Sequence, residues 1–372
     1  MLSREVDRLL KQKSSQSLYR TTNPIHEEGI INFCSNDYLS LSLEPDIKKA
    51  YQEGVRRYAV GSTGSMVVSG YHKSHQALEE GLCAALNTDR CLLFSSGYNA
   101  NLSILLLLKQ LNAHVVMDKQ VHASIYDGIQ LSKVEYSRYK HQDNQHLQVQ
   151  LQKVHSNKAV LTESTFSMSG QTTDLKEVST LCKQYQAELI VDEAHGFGLV
   201  GNEGLGGIVR AGLSQDEVPL RLIPFGKTLA STGAAIVGQH DWIEALLQCA
   251  RPAVYSTALS PAIAHGVLCT LGLVRRADDR REKLNLLIRY FNTLAAQSTL
   301  TFRLSNSPIQ QLQLGHADKA LYFGEELLKR GIMCTPIRRP TVSQKETGLR
   351  IILNHNHDIK DVQYLFHALE AL

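Results

Sequence analysis

An α/β fold with a mostly parallel sheet in a large domain, plus a smaller α+β C-terminal domain, is predicted by three observations. Short apolar runs alternate with helix-length segments from about residue 75 to residue 260. The 372 residues, 43% of them hydrophobic, exceed the roughly 250 to 300 at which a single core stops growing. Past Ser260 the alternation gives way to long helical stretches and then to isolated strands. The sequence therefore divides into a segment 1–44 packing on the main domain, a large domain 45–260 and a small domain 261–372.

The elements follow in order. Leu2, Val6, Leu9 and Leu10 stand at helical spacing among Arg4, Asp7, Arg8 and Lys11, so residues 2–13 predict an amphipathic helix. The apolar runs Cys91–Phe94, His114–Asp118, Ala159–Thr162, Leu189–Asp192, Leu222–Phe225 and Ala234–Val237 predict strands. Ser74–Leu86, Asn101–Leu111, His146–Val154 and Leu175–Gln186 carry the helical period between them. Strand and helix alternating at this pace indicate parallel pairing, because parallel strands need crossover helices.

Beyond Pro261 the sequence predicts one long helical stretch to Leu294 with a charged patch at Arg275–Lys283, followed by residues 301–314. A helix at Asp318–Arg330, strands near Met333–Ile337 and Leu349–Leu353, and a last helix Ile359–Leu372 complete it. No Pro/Gly-rich linker intervenes, so the two domains are expected to be joined by a continuous helix.

Composition excludes several classes. The 39 basic and 36 acidic residues give a net charge of +3 and form no stripe, which points away from nucleic acid. The seven cysteines are widely spaced with no CxxC pair, so neither a disulfide framework nor a metal site is expected. No apolar run reaches the roughly 20 residues of a membrane span, and no charged-then-apolar leader opens the sequence. The expectation is a cytoplasmic protein without a membrane partner.

In open α/β sheets, ligands bind beyond the carboxyl ends of the strands. The first strand runs into Ser95-Ser96-Gly97-Tyr98-Asn99, small residues opening a helix, which suits either a phosphate or a plain helix cap. The fourth ends in Asp192-Glu193-Ala194-His195-Gly196. A carboxylate at the end of a buried run needs a cationic partner, and a protonated heterocyclic nitrogen would serve. A capping Asp and a core His are the alternatives. Lys227 stands among small and apolar residues after Leu222-Ile223-Pro224-Phe225-Gly226, a setting that lowers an amine's pKa and makes it a usable nucleophile.

Taken together these pieces resemble the α-oxoamine synthases, a branch of the fold-type-I pyridoxal-phosphate (PLP) enzymes with the aspartate aminotransferase-like fold. The resemblance rests on Phe33-Cys34-Ser35-Asn36-Asp37-Tyr38-Leu39, Gly61-Ser62-Thr63-Gly64-Ser65, Val68-Ser69-Gly70-Tyr71-His72 with His75-Gln76-Ala77-Leu78-Glu79, Thr162-Glu163 with Phe166-Ser167-Met168, the Asp192–Gly196 run, Gly226-Lys227, and Tyr255-Ser256-Thr257. It covers almost the whole chain.

The resemblance implies a PLP-dependent acyltransferase of biotin biosynthesis, a homodimer that condenses L-alanine with a pimeloyl thioester, on coenzyme A or an acyl carrier protein, and releases carbon dioxide. Lys227 matches the lysine that holds PLP and moves protons at the substrate α-carbon, and Asp192 the carboxylate on the pyridinium nitrogen. His195 and Ser167 match residues at the ring's phenolic oxygen, His122 the imidazole stacked on the ring, and Gly97 with Tyr98 the phosphate turn. Arg350 matches the arginine for the amino-acid carboxylate; Asn36, Glu163 and Thr341 match substrate-site positions, and Arg20 an arginine near the acyl group. His75 reads equally as a packed or capping residue.

One departure stands out. Three residues before the lysine the family carries Thr or Ser, whose hydroxyl binds the phosphate, whereas this chain has Pro224, with neither hydroxyl nor N–H. Thr228, Ser231, Thr232, or Thr257 from a partner subunit, are the replacements the sequence offers. The alternatives to this reading are another α-oxoamine synthase, such as 2-amino-3-ketobutyrate ligase, and a catalytically silent homologue acting as a partner subunit.

Overall fold

Seven strands make the sheet of the larger unit: β1 (Arg90–Phe94), β2 (His114–Asp118), β3 (Glu135–Tyr139), β4 (Lys158–Glu163), β5 (Ala187–Asp192), β6 (Leu220–Pro224) and β7 (Ala234–Gly238). Their spatial order is β1-β7-β6-β5-β4-β2-β3. The computed structural model describes residues 2–22, 24 and 29–372. From β3 to β6 all pairings are parallel, while β7 runs antiparallel to both β6 and β1. The carboxyl ends of β1, β2, β4, β5 and β6 therefore face the same edge of the sheet.

All six expected strands are present; β3 is the one the apolar pattern missed. It lies at the sheet edge, and Glu135, Tyr136 and Arg138 are exposed, so no buried run marks it. The sheet's two faces carry separate apolar clusters, one around Ile104, Leu108, Val115, Leu161 and Ile236 and the other around Val116, Leu147, Val160, Val178 and Val191. Alternate residues of β2 and β4 thus feed opposite layers, as a doubly covered sheet requires.

Two expectations about helices change. The helix expected from Asn101 begins at Gly97, directly off β1, with the Ser96 hydroxyl accepting from Asn99 N at 3.2 Å. The expected single stretch Pro261–Leu294 is two helices, Pro261–Arg275 and Asp278–Gln297. Arg281 secures the break: its guanidinium donates to Val274 O (2.7 Å) at the end of the first helix and to Asp278 Oδ1 (2.7 Å) at the start of the second.

The structure divides the chain differently from the boundaries at 44 and 260. The larger unit holds residues 36–167 and 171–283; the smaller holds the N-terminal residues through Ser35, 168–170 and 284–372. The passage from Lys283 to Leu284 lies inside the helix Asp278–Gln297. The smaller unit's sheet has β8 (Phe302–Arg303), β9 (Ile309–Gln313), β10 (Thr335–Ile337) and β11 (Gly348–Ile352) in the antiparallel order β10-β11-β9-β8.

Backbone pairing explains why the N-terminal segment joins this unit. Ile31 and Asn32 pair in parallel with Ile332 and Met333, and Ile352 N donates to Phe33 O at 2.8 Å. The expected amphipathic helix exists as Leu2–Ser15, but it buries no residue, and Leu2, Val6, Leu9 and Leu10 are exposed. Among the described residues no helix is long and apolar enough to cross a membrane.

Candidate active site

A cavity of about 210 Å³ opens at the carboxyl edge of the large sheet. Five of the strands ending there contribute to it: Ser96, Gly97 and Tyr98 after β1, His122 and Ser124 after β2, Glu163 at the end of β4, Asp192 at the end of β5 with His195 beyond it, and Pro224 at the end of β6 with Lys227 beyond it. The topology brings to one hollow residues far apart in sequence.

Asp192, the last residue of β5, is buried. Its Oδ1 accepts from Ala194 N (2.9 Å) and its Oδ2 from Asn101 Nδ2 (3.0 Å), two neutral donors. A buried carboxylate so placed at a cavity wall suits a cationic nitrogen from a ligand. The neighbouring Glu193 turns elsewhere, accepting from Ser164 Oγ, Gly207 N and Ile208 N, and anchors the short helix Gly207–Ala211.

His122 caps the helix Ala123–Ser132. Its Nδ1 accepts from Ser124 N at 3.2 Å and lies 2.8 Å from Ser124 Oγ, so the neutral ring carries its proton on Nε2. Protein packed around this partly open imidazole pushes its pKa below the usual value, Asp192 opposing the shift and Lys227 adding to it. Asn101 Nδ2 also donates to Ser124 Oγ at 3.0 Å. One amide thus ties the Asp192 carboxylate to the Ser124–His122 pair.

Lys227 is half-buried on the loop between β6 and β7. That loop is closed by Phe225 N to Gly233 O (2.9 Å), Ser231 N to Phe225 O (3.0 Å) and Ala230 N to Lys227 O (2.7 Å). Opposite it, Gly97 lets the helix N-terminus approach β6: a Cβ there would lie 2.9 Å from Pro224 Cγ. Exposed N–H groups at this helix end suit a phosphate.

Glu163 is 1% exposed; Oε2 accepts from Ser167 N at 3.3 Å, and Oε1 has no hydrogen-bond partner among the described residues. Burial, with the Asp192 charge beside it, pushes its carboxyl well above the ordinary carboxylate range, against the backbone hydrogen bonds from His122 and Ser167. Ser167 is buried behind it.

Of the remaining expected residues, Asn36 is half-buried and accepts from Tyr38 Oη (3.2 Å), while Thr257 is exposed and outside this chain's cavity lining. Arg20, Thr341 and Arg350 belong to the smaller unit, where Arg20 and Thr341 are exposed. There Arg350 is buried on β11, opposite Gln311 of β9 and Thr335 of β10. His75 is a capping residue: Nδ1 accepts from His72 N (2.9 Å), and Nε2 donates to Leu259 O (2.6 Å).

Sequence reading passed over Tyr38 and Asn101. Tyr38 stood in a quoted motif without a role, and the structure puts its Oη 2.6 Å from His195 Nδ1. Asn101 is a polar residue at 3% exposure on the inward face of an otherwise apolar helix, and that pattern is the signal that could have found it.

The residues present fit PLP. Asp192 meets the need of a ring nitrogen, Lys227 that of an aldehyde, and the glycine-opened helix end that of a phosphate. Comparison with known proteins agrees: the aminotransferase class I and II family matches residues 28–369, and the chain belongs to this family of PLP-dependent enzymes. It is 40% identical over 341 residues to the 8-amino-7-oxononanoate synthase of Saccharophagus degradans, covering 91% of this chain and 86% of that one.

Among solved structures, the 8-amino-7-oxononanoate synthase of Francisella tularensis superposes with a TM-score of 0.81 at 32% identity, over 93% of this chain and 98% of that one. The serine palmitoyltransferase of Sphingomonas wittichii does so with a TM-score of 0.91 at 25% identity, over 99% and 96%. The fold-type-I architecture and the resemblance read from the motifs are both borne out.

Proposed function

We propose that this chain is a PLP-dependent acyltransferase that condenses L-alanine with a pimeloyl thioester to 8-amino-7-oxononanoate, carbon dioxide and free thiol, in biotin biosynthesis. The observation that carries the reading is the convergence of Lys227, Asp192, His122 and His195 on one cavity beside the helix end at Gly97. The 40% identity to the Saccharophagus degradans synthase supports the choice of substrates.

When bound, PLP supplies an aromatic ring that stabilises the electron pair left at the amino-acid α-carbon. Asp192 would hold a proton on the ring nitrogen, and His195 with Ser167 would face the phenolic oxygen. Lys227 would hold the aldehyde and, when free, would be the base for the alanine α-proton. Arg350 binds the alanine carboxylate, which its planar fork suits. The α-carbon attacks the thioester carbonyl, the thiol leaves, and the alanine carboxylate departs as carbon dioxide. His122 Nε2–H is the donor for the new ketone oxygen, and Lys227 returns a proton to the α-carbon.

Asn36, Glu163 and Thr341 line the substrate path in this reading, with Arg20 toward the acyl end. The protein works as a cytoplasmic homodimer, Thr257 serving the partner's site. The test is a competition assay with pimeloyl thioesters on coenzyme A and on acyl carrier protein. Alanine is the expected amino acid and 8-amino-7-oxononanoate the product; serine or glycine outcompeting alanine overturns the assignment. Borohydride reduction of the PLP-loaded protein should leave the label on Lys227, and a label on any other lysine rejects the site.

A further inference from the structure

Pro224 leaves the phosphate end of the site one hydroxyl short, and the structure offers a specific replacement. Ser231 lies on the same closed loop as Lys227 and lines the cavity with Gly97, Pro224 and Lys227. Its Oγ accepts a hydrogen bond from Tyr51 Oη at 2.5 Å. With that lone pair engaged, the serine's own proton is left to donate, and among the described residues no group accepts it. A hydroxyl whose proton is free to donate at a cavity wall suits an anion.

Tyr51 is placed to keep that direction. It stands on the helix Pro45–Arg57, and its ring lies flat against Gly266 of the helix Pro261–Arg275, where a Cβ would come within 2.4 Å of Cε2. The glycine is the only residue type that leaves room for the ring. Burial raises the phenol's pKa above its ordinary value, Cys269 assisting and the Ser231 hydrogen bond opposing, so it stays protonated and donating. Pro224, whose ring packs on Gly97, fills with carbon the space beside the helix end.

We infer that Ser231, oriented by Tyr51, is the hydroxyl that binds the PLP phosphate in place of the one lost at Pro224, an inference that rests on the PLP reading above. Thr228 and Thr232 do not carry the role. Thr228 is 2% exposed and outside the cavity lining, and Thr232, although it lines the cavity, is exposed and has no buried partner orienting it.

The test is PLP affinity of the apoprotein, measured by absorbance titration, with the phosphate resonance followed by phosphorus NMR and turnover not used. Ser231→Ala should weaken PLP binding roughly 10- to 100-fold and move the phosphate resonance, the size expected for a lost hydrogen bond to a charged group. Tyr51→Phe should weaken it about 3- to 10-fold, and adding it to Ser231→Ala should cost nothing further, because Tyr51 acts only through the serine. Ser231→Thr should retain affinity, and Pro224→Thr should restore it to Ser231→Ala. Ser231→Ala within twofold of the parent, or additive losses in the double variant, overturns the inference and leaves the PLP site standing. A parent protein that binds no PLP overturns both.

Discussion

Tyr38 Oη lies 2.6 Å from His195 Nδ1 and 3.2 Å from Asn36 Oδ1. A phenol has one proton, and it goes to the Asn36 amide oxygen, which can only accept. His195 Nδ1–H then donates to the Tyr38 oxygen, so the phenol links the imidazole to Asn36 and fixes the ring's orientation. Tyr38 is fully buried, so Tyr38→Phe removes only the hydroxyl. The variant should lose about 3- to 30-fold in kcat/KM, and the absorbance of the bound cofactor should titrate at a shifted pH. An unchanged titration would show that Tyr38 serves packing alone.

Asn101 joins Asp192 Oδ2 to Ser124 Oγ, both at 3.0 Å, from a position 3% exposed. Asn101→Ala leaves the Asp192 carboxylate with the Ala194 N–H as its one remaining donor among the described residues. The pH-rate profile should shift and kcat fall about tenfold, the fold cost staying near 1 to 3 kcal/mol. Equal losses in stability with no change in profile would reject a positioning role.

In the proposed reaction Arg350 takes the alanine carboxylate. Arg350→Ala should raise the KM for alanine by about two orders of magnitude, a charge-assisted bidentate pair being lost, and leave the thioester KM near its parent value. An unaltered alanine requirement removes Arg350 from the site.

Glu346 is a stability test in acid. Burial alone would raise its carboxyl, but hydrogen bonds from Ser343 and the ion pair with Arg303 at 2.7 Å hold it at about 2, against an ordinary 4.5. A depressed carboxyl stabilises the fold above its ordinary value and loses that contribution as pH falls from 4.5 toward 2. Glu346→Gln should cost about 1 to 2 kcal/mol at pH 7 and almost nothing near pH 2. Unfolding midpoints at the two pH values decide it.

Glu79 has the opposite sign. Burial pushes it up to about 7, although the Tyr71 hydroxyl at 2.7 Å and the Arg90 charge pull it back. It holds its proton in the folded chain to higher pH than in the unfolded chain, so its contribution is complete below 4.5 and lost as pH rises through 7. Glu79→Gln should therefore be more stable than the parent at pH 8, by about 1 to 3 kcal/mol, and equal to it at pH 4.5. A variant less stable at both values would contradict the assigned direction.

The strands and the lysine loop were legible because each is a local pattern: a buried run followed at once by polar residues. Asp192 and Lys227 stand within a few residues of such runs, where the carboxyl-end rule points. The edge strand Glu135–Tyr139 was not legible, since only Tyr139 of its five residues is buried. The pairing of Ile31 with Ile332 was invisible for another reason: contacts between the two ends of a chain leave no periodicity in either end. Ser231 stood among the hydroxyls the sequence offered, but its link to Tyr51 was hidden for the same cause, the two being 180 positions apart and joined by a single hydrogen bond.

β7 has a consequence for how the Lys227 amine comes to be in place. Pro224 pairs directly with Ala234, so the segment bearing Lys227 is the connection of a hairpin between neighbouring strands and needs no crossover helix to return. Its closure draws only on the window from Leu220 to Gly238, whereas Asp192 and His122 arrive through long-range parallel pairing, which is intrinsically slower. The Lys227 loop is thus the part of the cavity that can be built first during folding, with the remaining walls assembled around it.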